Sequence, residues 1–294
     1  MHVFITGGTG NIGSAVVAEL LAHDHRVTVL ARSDAAAAAA EAAGASSVRG
    51  GLVDLDVIRA TAAGADGVIH LAFGNDFSSP QALEQNIAQE TAAIDTMAEA
   101  LVGTDRPFVI VSGTPSAEGR PAVESDPLPT GGPVGGRGRT VERVLRGFAD
   151  RGVRTSAVRL PRTVHHHGEG GFAGLLTALA RQWGVVGLPG TGEQRWPAVH
   201  SLDAAVLFRL VLEQAPAGTA WHAVADEGDR VADIAAVIGR RLGLPVEQRP
   251  VEEFGPVGPI FAADQPASSA RTREALGWTP THPSLLEDLE LLQP

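Results

Sequence analysis

Six side chains in this sequence have the chemistry to move a proton or to steady a developing negative charge beside a ligand: Ser112, Thr114, His165, His166, His167 and His200. A hydroxyl donates a hydrogen bond to an alkoxide but is a poor acid, whereas an imidazole exchanges a proton at neutral pH. The sequence has no Tyr and no Cys, and its 23 Lys+Arg residues are all Arg. No phenol, thiolate or primary amine can therefore take part. A loop-capping role for Thr114 competes with a catalytic one, and His166 and His167 read equally as polar loop residues. On a strand-like backbone only His165 and His167 would converge, with no acidic residue at a recognised spacing, so no metal site is expected.

Those groups need elements that place them against a ligand, and the first such element opens the chain. His2 to Ile5 reads as a short strand, followed by the glycine turn Thr6-Gly7-Gly8-Thr9-Gly10-Asn11-Ile12-Gly13 and by a helical apolar pattern from Ser14 to Leu21. Strand, glycine loop and helix together make a dinucleotide cradle. The glycines let two phosphates approach the backbone, and the helix N-terminus offers them unpaired N–H groups and the positive end of its dipole. A second strand, His25 to Arg32, ends on an arginine where NAD sites carry an acidic residue for the ribose 2′-OH. Arg32, with Ser33 as a second contact, favours NADP, with NAD as the alternative.

Strands expected at Ser47–Gly50, Gly67–Ala72 and Phe108–Ser112 alternate with helices, the pattern of a doubly wound parallel sheet of the Rossmann type in an α/β protein. Ligands of such sheets lie outside the carboxyl ends of the strands, so Ala72, Phe73, Ser112, Gly113 and Thr114 are expected to line one crevice. Ser116 to Gly138 reads as a loop over it, Thr140 to Asp150 as a helix, and Thr155 to Leu160 as a sixth strand stopped by Pro161. Segments 162–171 and 182–197 read as irregular. Helices at Phe172–Gln182, Leu202–Gln214 and Val231–Leu242, with a tail helix at Ser284–Leu292, go with a smaller C-terminal substrate lobe. The expected division is a dinucleotide domain of residues 1–161, rejoined by 198–225, and a lobe of 162–197 and 226–294.

With 294 residues a large core is available, and a net charge of −11 gives no cationic field for nucleic acid or an anionic membrane. No run approaches the apolar length of a membrane span, and Met1 leads almost at once into a strand with no room for a signal peptide. A cytoplasmic monomer or homodimer acting on a small molecule is expected.

The glycine loop, His70-Leu71-Ala72 at a strand end, Asn86 in the next helix, Trp196 to Asp203, and Leu276-Gly277-Trp278-Thr279-Pro280 in this order resemble the extended or atypical short-chain dehydrogenase/reductases. The likeness covers nearly the whole chain. It implies a Tyr and a Lys four residues later as the acid pair, and those positions fall near Val134 and Gly138. Gly51 likewise stands where the family has an Asp near the adenine. By resemblance, Thr114 or Ser112 keeps the hydroxyl role, Thr163, Val164 and His165 stand beside the substrate, and Arg195 stands where the family often meets a substrate phosphate. The cofactor set is completed by Leu52, Leu71 and Pro161. The expected activity is NADPH-dependent reduction of a small, fairly apolar carbonyl or conjugated substrate, assisted by Thr114, Ser112 and His165. The alternatives are a cofactor-retaining epimerase, isomerase or dehydratase, and a non-catalytic NADP(H)-binding redox sensor.

Overall fold

The computed structural model describes every residue except Asn75, Phe77, Ser78, Pro133 and Pro294. In chain order it opens with β1 (His2–Thr6), α1 (Asn11–Ala22), β2 (Arg26–Ala31), α2 (Asp34–Ala42), β3 (Ser46–Arg49) and α3 (Leu55–Ala63). Next come β4 (Gly67–His70), α4 (Pro80–Ala100), β5 (Pro107–Gly113), α5 (Gly135–Ala149) and β6 (Arg154–Leu160). These are followed by β7 (Thr163–His165), α6 (Gly171–Trp183), β8 (Val186–Pro189), β9 (Arg195–His200), α7 (Ser201–Gln214) and β10 (Thr219–His222). The chain closes with β11 (Asp226–Arg230), α8 (Val231–Leu242), β12 (Val246–Arg249), a 3₁₀ segment (Val251–Val257), α9 (Gly258–Phe261), α10 (Ala270–Leu276) and α11 (Leu285–Leu289).

Two compact units result. The first contains residues 1–112, 127–159 and 205–221, built on a seven-stranded sheet of order β10-β6-β5-β4-β1-β2-β3. Pairings from β3 to β5 are parallel, and the strand order reverses between β1 and β4. This is the doubly wound sheet the alternation implied, because βα units with buried apolar strands must cover both faces. Register puts Phe4, Val68 and Phe108 in one row and Thr6, His70 and Ile110 in the next. The first row joins Ile94, Met97, Val141 and Phe148 of α4 and α5 in a fully apolar core. Val3, Ile5 and Val29, pointing the other way, are equally buried.

The second unit contains residues 113–126, 160–204 and 222–294, with a three-stranded sheet β11-β9-β7, the pair β12-β8, and a core that includes Leu176, Trp196, Ile234, Ile238, Phe261 and Leu289. Several expectations need correction here. Residues 113–126, assigned from sequence to the dinucleotide domain, pack with the second unit: Ala122 bridges Ala267, and Glu124 accepts from the backbone N and Oγ1 of Thr272. Residues 198–204 also fall in the second unit, while most of α7 belongs to the first. Segments 162–171 and 182–197 are not irregular but contain β7, β8 and β9, strands too short and too broken by Gly and Pro to show a period of two. Helix α5 starts at Gly135 rather than Thr140, because close packing and not helix propensity places three glycines in its first turn.

Candidate functional site

The glycine loop is closed by sterics. Gly7 takes φ +74°, and a Cβ there would lie 2.7 Å from the backbone N of Ala72; one on Gly13 would lie 2.0 Å from the carbonyl oxygen of Gly7. Backbone bonds from Gly10 N to Gly7 O (3.1 Å) and Ser14 N to Gly10 O (2.9 Å) complete the turn. Helix α1 begins at N-cap Gly10 with no side-chain cap, so the N–H groups of Asn11, Ile12 and Gly13 lack the partner a Ser or Asp would bring. This is a built phosphate cradle. Thr6 lies beneath it and Thr9 on its exposed rim, and Gly8 packs on Val29, where a Cβ would stand 3.0 Å from the side chain. Arg32 is exposed just past β2, and Ser33 caps α2 by accepting from Ala36 N at 3.2 Å. Leu52 packs on the apolar core, Leu71 N donates to Thr6 O, and Ala72 and Phe73 lie two and three residues past the end of β4.

At the carboxyl ends of β1, β4 and β5 the apolar rows turn polar. Thr6 Oγ1 lies 2.7 Å from His70 Nδ1 and accepts from Ala72 N at 3.3 Å. A hydroxyl can accept two bonds and donate one, so Thr6 meets the ring as donor or as acceptor according to the His70 tautomer. Nε2 is buried and has no hydrogen-bond partner among the described residues; its nearest acidic neighbour, Glu90 of α4, stands 4.0 Å away. Burial, with Arg137 adding to it, pushes the His70 pKa down to about 3 and keeps the ring neutral. Burial raises the Glu90 pKa, opposed by the two 2.7 Å bonds its carboxylate accepts from Arg137 Nε and Nη2. The Arg137 guanidinium also lies 4.2 Å over the Phe73 ring. Ser112, two residues beyond Ile110 and so on the same face, has a buried Oγ without a partner among the described residues.

The places reserved for Tyr and Lys are shut. Val134 is the half-exposed N-cap of α5, and a Cβ on Gly138 would meet the Pro129 carbonyl at 2.1 Å.

In the second unit Thr114 is buried, its N donating to Leu160 O (2.9 Å) and its carbonyl accepting from Gln265 Nε2 (2.6 Å). Pro161 is buried and Val164 half-buried. His165, 1% exposed, places Nδ1 2.8 Å from Asp288 Oδ2, while its Nε2 has no partner among the described residues. The same carboxylate oxygen accepts from Gly168 N at 2.9 Å. Burial opposes, but the Gly168 N–H and His165 outweigh it and hold Asp288 below the ordinary carboxylate value.

Around His165 stand four more imidazoles. The His200 ring is 5.4 Å from it edge-on, His166 is 4.7 Å from His200, and His282 stacks on His200 at 4.7 Å. His167 stacks on His166, whose Nδ1 lies 3.2 Å from Ser201 Oγ. His282 Nδ1 bonds Asp203 Oδ1 at 2.8 Å, and Asp203 also accepts from the backbone N of Thr281 and His282. Burial and the neighbouring imidazoles push His200 down to about 4 and lower His166. Among the described residues no three such groups converge as metal ligands do. Arg195 pairs with Asp264 and Trp196 is core.

Sequence reasoning missed His70 as a polar contact, and also Glu90, Arg137, Asp203, His282 and Asp288. Polar residues ending otherwise apolar strands could have signalled His70. Arg137 was hidden in a segment read as loop, and the aspartates pair across separations that local patterns do not report.

Residues 3–224 match the model of the NAD-dependent epimerase/dehydratase family. An uncharacterised protein of Schizosaccharomyces pombe is 41% identical over 295 residues, 98% of each chain. Among solved structures, the dTDP-glucose 4,6-dehydratase DesIV of Streptomyces venezuelae, solved with NAD, superposes with a TM-score of 0.78 at 21% identity, covering 99% of this chain and 96% of that one. The UDP-glucose 4-epimerase of Thermotoga maritima gives 0.79 at 21% identity, covering 99% and 97%. The glycine cradle, the doubly wound sheet and these matches agree: the chain belongs to the NAD-dependent epimerase/dehydratase family.

Proposed function

We propose that the first unit holds a nicotinamide dinucleotide and that the protein is a cofactor-retaining epimerase, isomerase or dehydratase, in which hydride leaves and returns to one substrate. The observation that carries the dinucleotide is the Gly7–Gly13 contact, where a Cβ would fall 2.0 Å from a carbonyl oxygen and α1 starts uncapped. Family membership favours retention over the net reduction expected from sequence. When bound, the nicotinamide supplies and takes back the hydride. Thr6 hydrogen-bonds the neutral His70 ring beneath the cradle. The Ser112 hydroxyl, unpartnered at the end of β5, donates a hydrogen bond to a substrate oxygen. In the second unit Asp288 accepts from His165 Nδ1, which leaves the buried Nε2 as the ring nitrogen without a partner among the described residues.

A second reading, an NADPH-dependent reductase, is favoured by one observation: Arg32 is exposed past β2, ready for a 2′-phosphate. One experiment separates them. Nucleotide released from denatured protein is identified, and the native protein is incubated with UDP-glucose and dTDP-glucose, the sugars that name its relatives. Stoichiometric bound nucleotide, with product formed and no net change in nicotinamide absorbance, supports retention. Protein that purifies empty and consumes NADPH with simple ketones, enones or quinones overturns it in favour of the reductase. The released nucleotide also decides between NADP and NAD.

A further inference from the structure

Arg137 stands at the carboxyl edge of the first unit's sheet, 28% exposed at its side chain. Nε and Nη2 are both committed to Glu90, which fixes the plane of the guanidinium and leaves the Nη1 edge outside the pair. Phe73 supports one face of that plane and lies three residues past the end of β4. The strand order reverses between β1 and β4, and a dinucleotide straddles such a point. With its pyrophosphate at the start of α1, its adenosine half runs toward β2 and β3, where Arg32 and Ser33 lie. The other half then runs over β4 toward Phe73 and Arg137.

The charge state selects what Arg137 meets there. A guanidinium already neutralised by a carboxylate attracts a phosphate weakly, but its open N–H edge donates well to neutral hydroxyls. Neighbours of Arg137 can carry no side chain into the same space: a Cβ on Gly138 would meet the Pro129 carbonyl at 2.1 Å, and one on Gly135 the Thr130 carbonyl oxygen at 2.5 Å. We propose that Arg137 binds the diol of the nicotinamide-side ribose, and that Glu90 and Phe73 are the residues that hold it in place. This rests on the reading that the first unit takes a dinucleotide.

Two commercial fragments test it by calorimetric titration: ADP stops at the pyrophosphate, and ADP-ribose adds the second ribose. The variant Glu90→Gln/Arg137→Met removes both charges, so that no buried carboxylate is left unpaired. It is expected to bind ADP-ribose about tenfold more weakly than wild type, the loss of a charge-assisted hydrogen bond, with ADP affinity unchanged. Glu90→Gln alone, which keeps the guanidinium but loosens its hold, loses less ADP-ribose affinity than the double variant, and Arg137→Lys retains part of what the double variant loses. Unchanged ADP-ribose binding in the double variant overturns the proposal. So does an equal loss of ADP and ADP-ribose, because a residue that only holds the fold affects both. Wild-type protein that binds neither fragment fails the dinucleotide reading itself, a different result from either.

Discussion

In the first unit the groups at the carboxyl edge of the sheet are held by close steric contact and by the buried Glu90–Arg137 pair. Gly7 and Gly13 admit no side chain, Arg137 is paired with the buried Glu90, and His70 is held neutral by burial. In the second unit the conspicuous groups are imidazoles, stacked on one another and clasped by two aspartates in opposite senses. His165 reaches out from β7 to Asp288 of α11, while Asp203 of α7 reaches out to His282 of the C-terminal segment. The first arrangement is preorganised for a ligand by backbone sterics and one buried ion pair. The second depends on which rings are protonated, and it fastens the last residues of the chain to the body of their unit.

The steric half of this comparison is broken by Gly13→Ala. Its Cβ must displace the Gly7 carbonyl, which overpacks the turn by about 1–3 kcal/mol. Misplacing the cradle by about an ångström weakens dinucleotide affinity roughly 100-fold. Nucleotide titration and thermal melting measure both. A variant that binds as wild type does would show that the cradle is not set by sterics.

The clasp is tested next by Asp288→Ala. This leaves His165 Nδ1 and Gly168 N–H buried without an acceptor, at a cost of about 3 kcal/mol in urea unfolding. Three of the four tryptophans, Trp183, Trp196 and Trp278, lie in the second unit and Trp221 in the first, so tryptophan fluorescence is weighted toward the event in the second unit. A loss below about 0.5 kcal/mol, the size of an ordinary surface substitution, would reduce the clasp to a surface contact.

Acidification sharpens the contrast. His200 has its pKa pushed down to about 4, and Leu202 N donates to its Nδ1, so the folded protein keeps it neutral. The unfolded chain protonates this residue near pH 6.5, and between the two values it binds more protons than the folded state does. Stability is therefore full above about pH 6.5 and falls as pH drops toward 4. His166, lowered for the same reasons, adds to the slope; His70 adds its own in the first unit, down to about 3. His200→Gln should flatten the pH dependence of the tryptophan-reported transition between pH 6.5 and 4 while leaving the nucleotide affinity of the first unit unchanged. An unchanged slope would mean that the imidazole cluster does not set acid stability.

The same contrast explains what was legible beforehand. The cradle and the parallel sheet could be read because local chemistry dictates them: a run of glycines that nothing else requires, and strands whose β-branched residues alternate with helical patterns. The triple histidine was visible for the opposite reason, being adjacent in sequence. Its partners were not, since Asp288 is 123 residues from His165 and the pairing is set only when α11 docks. Arg137 and Glu90 are 47 residues apart, and the glycines around Arg137 read as a loop until the Pro129 and Thr130 carbonyls show why a helix needs them there. Spacing made the glycine turn and the sheet legible; long-range packing decides which side chains are free to act.

The smallest effect tests the loop that carries the histidines. His166 and Glu169 exchange both backbone bonds (2.9 and 3.1 Å), so His167 and Gly168 form a two-residue hairpin turn with φ of +55° and +75°. Two positive φ values in succession are the type I′ arrangement, for which Asn-Gly is the favoured pair. Glycine is already present at the second place, whereas a histidine at the first holds a left-handed conformation that asparagine adopts at lower cost. His167 is exposed, and its visible partner is the stacked His166 ring. His167→Asn should therefore stabilise the second unit by about 0.5 kcal/mol, read as a higher urea midpoint with unchanged slope. If the variant is instead less stable, the stack of His167 on His166 contributes more than the backbone strain costs, and the imidazoles of this cluster support one another rather than merely tolerating their neighbours.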